Sequence, residues 1–175
     1  MQLITNGRFV TDTWSGPTAL QGRAVPHTLY TAATLLAAPP ADYRGCAPLG
    51  LLIDSETNIS TLLPLLPQLA LIAIAFPATG DGRGFSLARQ LRRHAYVREL
   101  RAHGELIADQ YPHLRAAGFD SIQVPQTIVS RHTELDWQKA WRQFPQRYQA
   151  SAGGLASVWA RRHPVTAQTP ASRQA

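Results

Sequence analysis

LALIAIAF at residues 69–76, followed by PATGDGRG at 77–84 and FSLARQLRRHA at 85–95, is the stretch that decides the fold. Its apolar run predicts a buried strand, which Pro77 ends. From Ser86 onward, apolar residues recur at the spacing of an amphipathic helix. Glycines in the intervening turn allow backbone N–H groups to face a ligand near the positive end of the helix dipole, which favours an anion site. They equally fit a plain strand-to-helix turn.

The alternation of strand and helix continues on both sides of this stretch. Strands are predicted at LGLLID (49–54), RELRAHG (98–104) and DSIQV (120–124), and helices within ISTLLPLLPQL (59–69) and ELIADQYPHLRAAG (105–118). Strands that are separated by single helices pair in parallel. We therefore expect an α/β fold of parallel βαβ units, arranged as an open sheet or as a partial (β/α) barrel.

The flanking segments predict an N-terminal hairpin and a C-terminal helix. Asn6-Gly7 between apolar residues is typical of a hairpin turn, and residues 27–38 predict a short helix. Thr133 and Asp136 have the spacing of a helix start. Aromatic residues then recur at helical spacing, at Trp137, Trp141, Phe144 and Tyr148.

Length and composition predict one globular domain. The chain has 175 residues, of which 45% are hydrophobic and 16% are charged, a balance typical of folded proteins. We expect residues 1–150 to form a single α/β domain and residues 151–175 to form a largely flexible tail. No apolar run has the length of a membrane span, and the first residues lack a secretory pattern, so the cytoplasm is the expected compartment.

Arginine carries the basic charge of the chain. The net charge is +6, and Lys139 is the only lysine among 17 basic residues. Arginine suits bidentate contacts with phosphate, sulfate or carboxylate, which favours an anionic ligand or an acidic partner protein, although a compositional bias of the genome would look the same. The arginines are not interleaved with aromatic residues, and no nucleic-acid-binding motif is present, so nucleic acid is not an expected partner.

Polar residues follow the predicted strands at the edge where parallel α/β proteins bind ligands. That edge would collect Asp54, Asp81, Arg83, His103, Glu105 and Gln123. Asp81 and Arg83, with Arg101 on the third strand and Asp109 in the next helix, are predicted to form an ion-pair and anion-binding cluster. His103 has the side chain best suited to acid-base chemistry, with a surface or core histidine as the alternative.

Two segments resemble a known family. FPATGDGRGFSLARQLR (76–92) and RELRAHGELIADQYPHLRAAGFDSIQV (98–124) are similar to a bacterial family of unknown function that is often encoded beside sulfite reductase and has a suggested oxidoreductase role in sulfite reduction. The shared positions are Asp81, Gly82, Arg83, Gly84, Ser86, Ala88, Arg89, Leu91, Arg92, Glu99, Leu100, Arg101, Ala102, Gly104, Asp109, Gln110, Gly118, Phe119 and Asp120.

The chain also departs from the family pattern. Arg98, Ala108 and Ala117 stand where the family has Gly, Arg and Cys, and Thr79-Gly80 replaces an aromatic-Thr pair. Without the family cysteine a thiol mechanism is not expected, and the single cysteine, Cys46, is expected to be a small buried side chain. The sequence has no haem motif, cysteine cluster, Walker loop or complete Rossmann fingerprint, so we expect no cofactor and no metal site.

The resemblance implies an accessory protein of assimilatory sulfite reduction. It would bind sulfite, sulfate or phosphate, or sulfite reductase itself, through the Arg- and Gly-rich loop. The binding residues would be Gly82, Arg83, Gly84, Ser86, Arg89 and Arg101. The alternative is an enzyme of unknown substrate that uses the Asp81/Arg83/Arg101/Asp109 cluster, with Asp81, Asp109 and His103 as catalytic candidates.

Overall fold

A mixed sheet of eight strands is the centre of the fold in the computed structural model, which describes residues 1–78 and 80–143 and, for Pro40, the backbone alone. The strands are β1 (Gln2–Thr5), β2 (Arg8–Val10), β3 (Ser15–Thr18), β4 (Thr28–Thr31), β5 (Leu49–Ile53), β6 (Leu69–Phe76), β7 (Glu99–Gly104) and β8 (Ser121–Val124). Their order across the sheet is β2-β1-β8-β7-β6-β5-β4-β3. Neighbours from β8 to β3 pair in parallel, whereas β1 pairs antiparallel with both β2 and β8. The predicted parallel layer is confirmed as a curled open sheet, or half-barrel.

The chain connectivity requires the sheet to curl. Strands β2 and β3 lie at opposite edges, yet only residues 11–14 join them. In a flat sheet, seven strand spacings of about 4.8 Å would separate these edges by roughly 34 Å. Five residue steps from Val10 to Ser15 reach at most about 18 Å. The sheet must therefore be curved, and residues 11–14 take the short path between its two edges across the concave side.

The helices pack on the other, convex face. They are α1 (Ala32–Ala37), α2 (Pro40–Tyr43), α3 (Ile59–Leu62), α4 (Arg83–Arg93), α5 (Tyr111–Ala117), α6 (Gln126–Val129) and α7 (Glu134–Arg142), with 3-10 turns at Leu66–Gln68 and Ala108–Gln110. Because side chains alternate along a strand, Ile72, Ile74 and Phe76 of β6 share one face, and they belong to the same core as Leu87 and Leu91 of α4. None of the described helices is long and apolar enough to span a bilayer.

Local sequence explains several of the element ends. Asn6 and Gly7 have positive φ values of 54° and 76°, as a two-residue turn between β1 and β2 requires, so the predicted hairpin is confirmed. Gly118 ends α5 in the left-handed conformation, with φ 107°. Thr133 and Asp136 form the predicted capping box at the start of α7.

The short helix predicted over residues 27–38 is only partly correct. Thr28–Thr31 form strand β4, and the helix begins at Ala32. Leu29 and Tyr30 are buried on opposite faces of the sheet, Leu29 with the concave-face residues and Tyr30 with the helix-covered core. Both faces of the strand are therefore covered, which hides the alternation that marks a strand in sequence.

Met1–Gln143 form one compact unit. Cys46 is buried there, as expected. Predictions that concern Thr79, Phe144 and Tyr148, the end of the 1–150 domain and the tail at 151–175 fall outside the described residues.

Candidate functional site

Residues 11–14 cover part of the concave face, which we call the inner face. A Cβ atom on Gly50 of β5 would lie 2.8 Å from the indole ring of Trp14, so the ring packs directly on the strand backbone. Leu29, Leu71 and Ala73 form a small apolar cluster there with Trp14 and Leu52, and no helical residue takes part in it. The apolar half of the inner face is thus closed by the chain connection itself.

The other half of the inner face is polar. Glu99, Arg101 and His103 alternate along β7, and the neighbouring strand β8 places Ser121 beside Arg101 and Gln123 beside His103. We call these residues, together with Asp12, the inner-face cluster. The Arg101 side chain is only 1% exposed, and its guanidinium pairs with Asp12 at 2.8 Å and with Glu99 at 3.0 Å. Ser121 donates a further hydrogen bond to Glu99 at 2.6 Å. Two carboxylates therefore surround one buried cation.

Asp12 also connects Arg101 to His103. Its Oδ2 atom accepts hydrogen bonds from Arg101 Nη1 and from the amide nitrogen of Gln123, both at 2.8 Å, while Oδ1 accepts from the backbone of Trp14. The other end of the Gln123 amide, Oε1, lies 2.9 Å from Nδ1 of His103. A continuous hydrogen-bonded chain thus runs from the buried arginine to the imidazole.

The glycine-rich loop holds a second polar cluster, formed by Ser55, Glu56, Asp81 and Arg83, which we call the loop cluster. The Arg83 guanidinium pairs with Asp81 at 3.0 Å and with Glu56 at 2.8 Å, and Ser55 donates to Asp81 at 3.1 Å. Hydrogen bonds from the side chain and backbone of Arg83 lower the pKa of Asp81 from 3.8 to about 2. The Asp81 and Glu56 carboxylates in turn raise the pKa of Arg83. Both groups are therefore ionised. Each of the three guanidinium nitrogens of Arg83 already has a carboxylate partner.

The loop glycines serve different purposes. A Cβ atom on Gly84 would lie 2.5 Å from the ring of Phe76, so this glycine lets the first turn of α4 pack against the end of β6. A Cβ atom on Gly82 would meet none of the described residues within 4 Å, and its φ of −84° is open to any residue. Gly104, with φ 137°, faces the backbone carbonyl of Phe76, where a side chain would collide. Gly84 and Gly104 are thus required by packing.

Arg92 at the end of α4 joins three segments of the fold. Its guanidinium donates to the carbonyl oxygens of Gly118, Tyr96 and Arg98 and pairs with Asp120 at 2.6 Å. Asp120 also accepts from the backbone of Leu100 at 2.8 Å. These contacts tie α4 to the end of α5 and the start of β7, which is a structural role.

The model of a family described as bacterial proteins of unknown function (DUF934) matches residues 50–159, more than half of the chain. The chain belongs to this family. No curated protein and no solved structure matches it.

The positions shared with the family pattern divide between structure and the two polar clusters. Gly84, Gly104 and Gly118 serve close packing or a left-handed turn, and Arg92 bonds to Asp120. Four other charged residues at shared positions pair with each other: Arg83 pairs with Asp81, and Arg101 pairs with Glu99. These four residues belong to the loop cluster and the inner-face cluster, whereas the shared residues Ser86, Arg89 and Asp109 are exposed outside both clusters.

The structure brings some of the predicted site residues together. Asp81 and Arg83 are paired, but Arg101 uses the separate carboxylates of Asp12 and Glu99. Asp109 is exposed in the 3-10 turn Ala108–Gln110. Ser86 and Arg89 are exposed on α4. Asp54, Glu105 and Gln123, which were predicted at the same edge, also separate: Asp54 holds its own turn through Glu56 and Thr57, Glu105 is exposed, and Gln123 is buried.

Two acidic residues of these clusters were missed by sequence reasoning. Asp12 lies in the polar segment after the hairpin, 89 positions from Arg101. Glu56 follows β5 and reaches Arg83 across 27 positions. Neither belongs to a recognisable motif. The one signal that the sequence offers is that an arginine buried on a strand needs carboxylate partners. Among the described residues, no group of three or more His, Cys, Asp or Glu side chains could hold a metal ion.

Proposed function

We propose that this chain is an accessory protein of assimilatory sulfite reduction that docks onto sulfite reductase through the exposed side of helix α4. The pathway rests on the resemblance of residues 76–124 to a family often encoded beside that enzyme. The docking surface rests on one observation: within the described residues, Arg89 and Arg93 are exposed on α4 and form no ion pair.

Helix α4 has two sharply different sides. Leu87, Ala88 and Leu91 are buried against the sheet, whereas Ser86, Arg89, Gln90 and Arg93 are exposed. The helix contains no acidic residue that could neutralise the arginines. Residues three, four and seven positions apart share one side of a helix, so Ser86, Arg89 and Arg93 form a continuous basic strip.

The segment after the helix extends this surface. Val97 is 87% exposed, and Arg98 beside it is also exposed. An exposed apolar side chain with basic neighbours suits a contact whose centre is apolar and whose rim is charged. The surface fits an acidic protein, and the net charge of +6 favours the encounter.

A free oxyanion in the glycine-rich loop has less support. The guanidinium of Arg83 has two carboxylate partners, and the Asp81 carboxylate accepts from the backbone N–H of Arg83 where an anion would otherwise sit. An incoming sulfate would have to displace these carboxylates or remain beside them. The enzyme alternative also has less support, because Arg83 and Arg101 engage different carboxylates.

The docking proposal is tested by measuring the affinity for purified sulfite reductase. The double variant Arg89→Glu/Arg93→Glu should weaken binding about tenfold or more, because rim charges set both encounter rate and affinity. The matched control is Arg44→Glu/Arg131→Glu, which changes the net charge equally at two exposed arginines elsewhere. A similar loss in both variants, or no binding of the wild-type protein at micromolar concentration, would overturn the proposal.

A thermal-shift series separates the partner from the free anion. Sulfite, sulfate and phosphate should change the melting temperature of the wild-type protein and that of the Arg83→Ala variant by the same amount. The difference between the two melting temperatures should therefore stay constant as the anion concentration rises. A concentration-dependent stabilisation that Arg83→Ala removes would instead place the oxyanion at the loop.

A further inference from the structure

We propose that the carboxyl-terminal half of the inner face binds a small uncharged or cationic molecule that donates a hydrogen bond to Nε2 of His103. This site is distinct from the docking surface on α4. It rests on the orientation of the imidazole, on the part of the inner face that the described residues leave partly exposed, and on the balance of charge around Arg101.

The hydrogen-bonded chain fixes the tautomer of His103. The Asp12 carboxylate offers only acceptor atoms to Gln123, so the Gln123 NH₂ group must face Asp12. The Gln123 oxygen is then the atom that faces Nδ1 of His103 at 2.9 Å, and this oxygen can only accept. Nδ1 therefore carries the hydrogen, and Nε2 of the neutral imidazole presents a lone pair. None of the described residues bonds to Nε2.

The described residues leave the inner face partly exposed around this atom. Residues 11–14 cover the region of the inner face around Leu71, Ala73 and Arg101, all of which are at most 1% exposed. His103 lies two residues after Arg101 on β7, beside Ala75 of β6, and both His103 and Ala75 are partly exposed. This partly exposed region is at the carboxyl ends of the parallel strands, the end at which parallel α/β proteins usually bind ligands.

The charge balance selects the class of ligand. Asp12 and Glu99 supply two negative charges, and the buried Arg101 supplies one positive charge that both already share. An anion would meet a net negative surface with no unpaired donor among these groups. An uncharged or cationic donor instead finds the acceptor Nε2, with the apolar side chain of Ala75 beside it on β6. Gln123 and Asp12 act as positioning residues, and His103 as the binding residue.

The first test measures the tautomer. In protein with ¹⁵N-labelled histidine, at a pH where the imidazole is neutral, long-range ¹H–¹⁵N spectra should place the His103 hydrogen on Nδ1. Gln123→Leu removes the acceptor and should move the hydrogen toward Nε2, while the exposed His113 keeps its spectrum. A wild-type His103 with its hydrogen on Nε2 would overturn the proposal without any variant.

The second test uses phenol as an uncharged donor, with benzoate and inorganic sulfate as anionic comparisons. Phenol at millimolar concentration should shift the Nε2 signal of His103, and benzoate and sulfate should shift it at least about tenfold less at the same concentration. Phenol should also shift the signals of residues that surround His103. This shift should be lost in the His103→Gln variant and kept in the His113→Gln variant. If His103→Gln does not fold, a weaker phenol shift in Gln123→Leu serves the same purpose. An unmoved Nε2 signal, or an equal response to benzoate, would refute the site while leaving the docking proposal intact.

Discussion

The Oδ1 atom of Asp81 lies 3.0 Å from the backbone nitrogen of Arg83, so the glycine-rich loop supplies its own carboxylate to the first turn of α4. Negative charge at a helix start is stabilised by the unpaired N–H groups and by the helix dipole. The same carboxylate also pairs with the Arg83 guanidinium and accepts from Ser55. The backbone N–H and guanidinium groups of the loop are therefore suited to an anion, and the Asp81 carboxylate already binds them.

This pairing predicts how stability depends on pH. The pKa of Asp81 falls from 3.8 in the unfolded chain to about 2 in the folded protein, so its stabilisation is complete above about pH 4 and is lost as the pH falls through 2. Wild-type protein should exceed Asp81→Asn in free energy of unfolding at neutral pH, and the difference should shrink between pH 4 and pH 2. Urea denaturation of both proteins across this range measures the effect. A difference that stays constant to pH 2 would contradict the assignment.

Substitutions at two glycines of the loop should change the stability of the protein by different amounts. Gly84→Ala should destabilise the protein by about 1–3 kcal/mol, because the new Cβ atom would lie 2.5 Å from the Phe76 ring. Gly82→Ala is the matched control, since none of the described residues lies within 4 Å of its Cβ position, and it should change the free energy of unfolding by less than about 1 kcal/mol. Chemical denaturation compares the two. Equal effects would mean that the loop needs glycine for its backbone shape.

Local patterns predicted most of the fold because the information was local. The apolar run of β6, the Asn6-Gly7 turn and the Gly118 helix end each depend on neighbouring residues. Strand β3, with sequence SGPT, was missed because it is exposed along its whole length and contains proline. Its place at the sheet edge is set by pairing with β4, a contact that no local pattern reveals.

The candidate sites were less predictable for the same reason. Sequence predicted the pairing of Asp81 with Arg83, but it did not predict the further carboxylates, Glu56 on Arg83 and Asp12 and Glu99 on Arg101. Asp12 reaches Arg101 only because the sheet curls and residues 11–14 cross its concave face. An arginine predicted to bind an outside anion and one saturated by internal carboxylates look identical in sequence, since their partners come from distant segments.

Variants of two adjacent arginines on α4, Arg92 and Arg93, should distinguish an effect on stability from an effect on binding. Arg92→Ala removes several hydrogen bonds to partly buried carbonyls and the pair with Asp120, so we expect a loss of about 2–3 kcal/mol in the free energy of unfolding. Arg92→Lys should also destabilise, because one ammonium cannot replace the planar guanidinium. The exposed Arg93→Ala should stay within about 0.5 kcal/mol of wild type while weakening binding to sulfite reductase. Thermal or urea denaturation beside the binding assay tests both expectations, and a stability loss at Arg93 matching that at Arg92 would contradict them.

The buried ion pairs of Arg101 give the largest expected effect. Arg101→Ala leaves the carboxylates of Asp12 and Glu99 facing each other without their cation, and breaking such a pair from one side destabilises by about 3–5 kcal/mol. Because the penalty comes from uncompensated negative charge, acidification should reduce the difference between variant and wild type as the carboxylates are protonated. Arg101→Ala with Asp12→Asn and Glu99→Gln removes the charges together and should recover part of the stability lost by Arg101→Ala alone. Urea denaturation at neutral and acidic pH measures all of these values. If the triple variant were no more stable than Arg101→Ala and acid gave no recovery, the loss would be due to packing of the long arginine side chain rather than to charge.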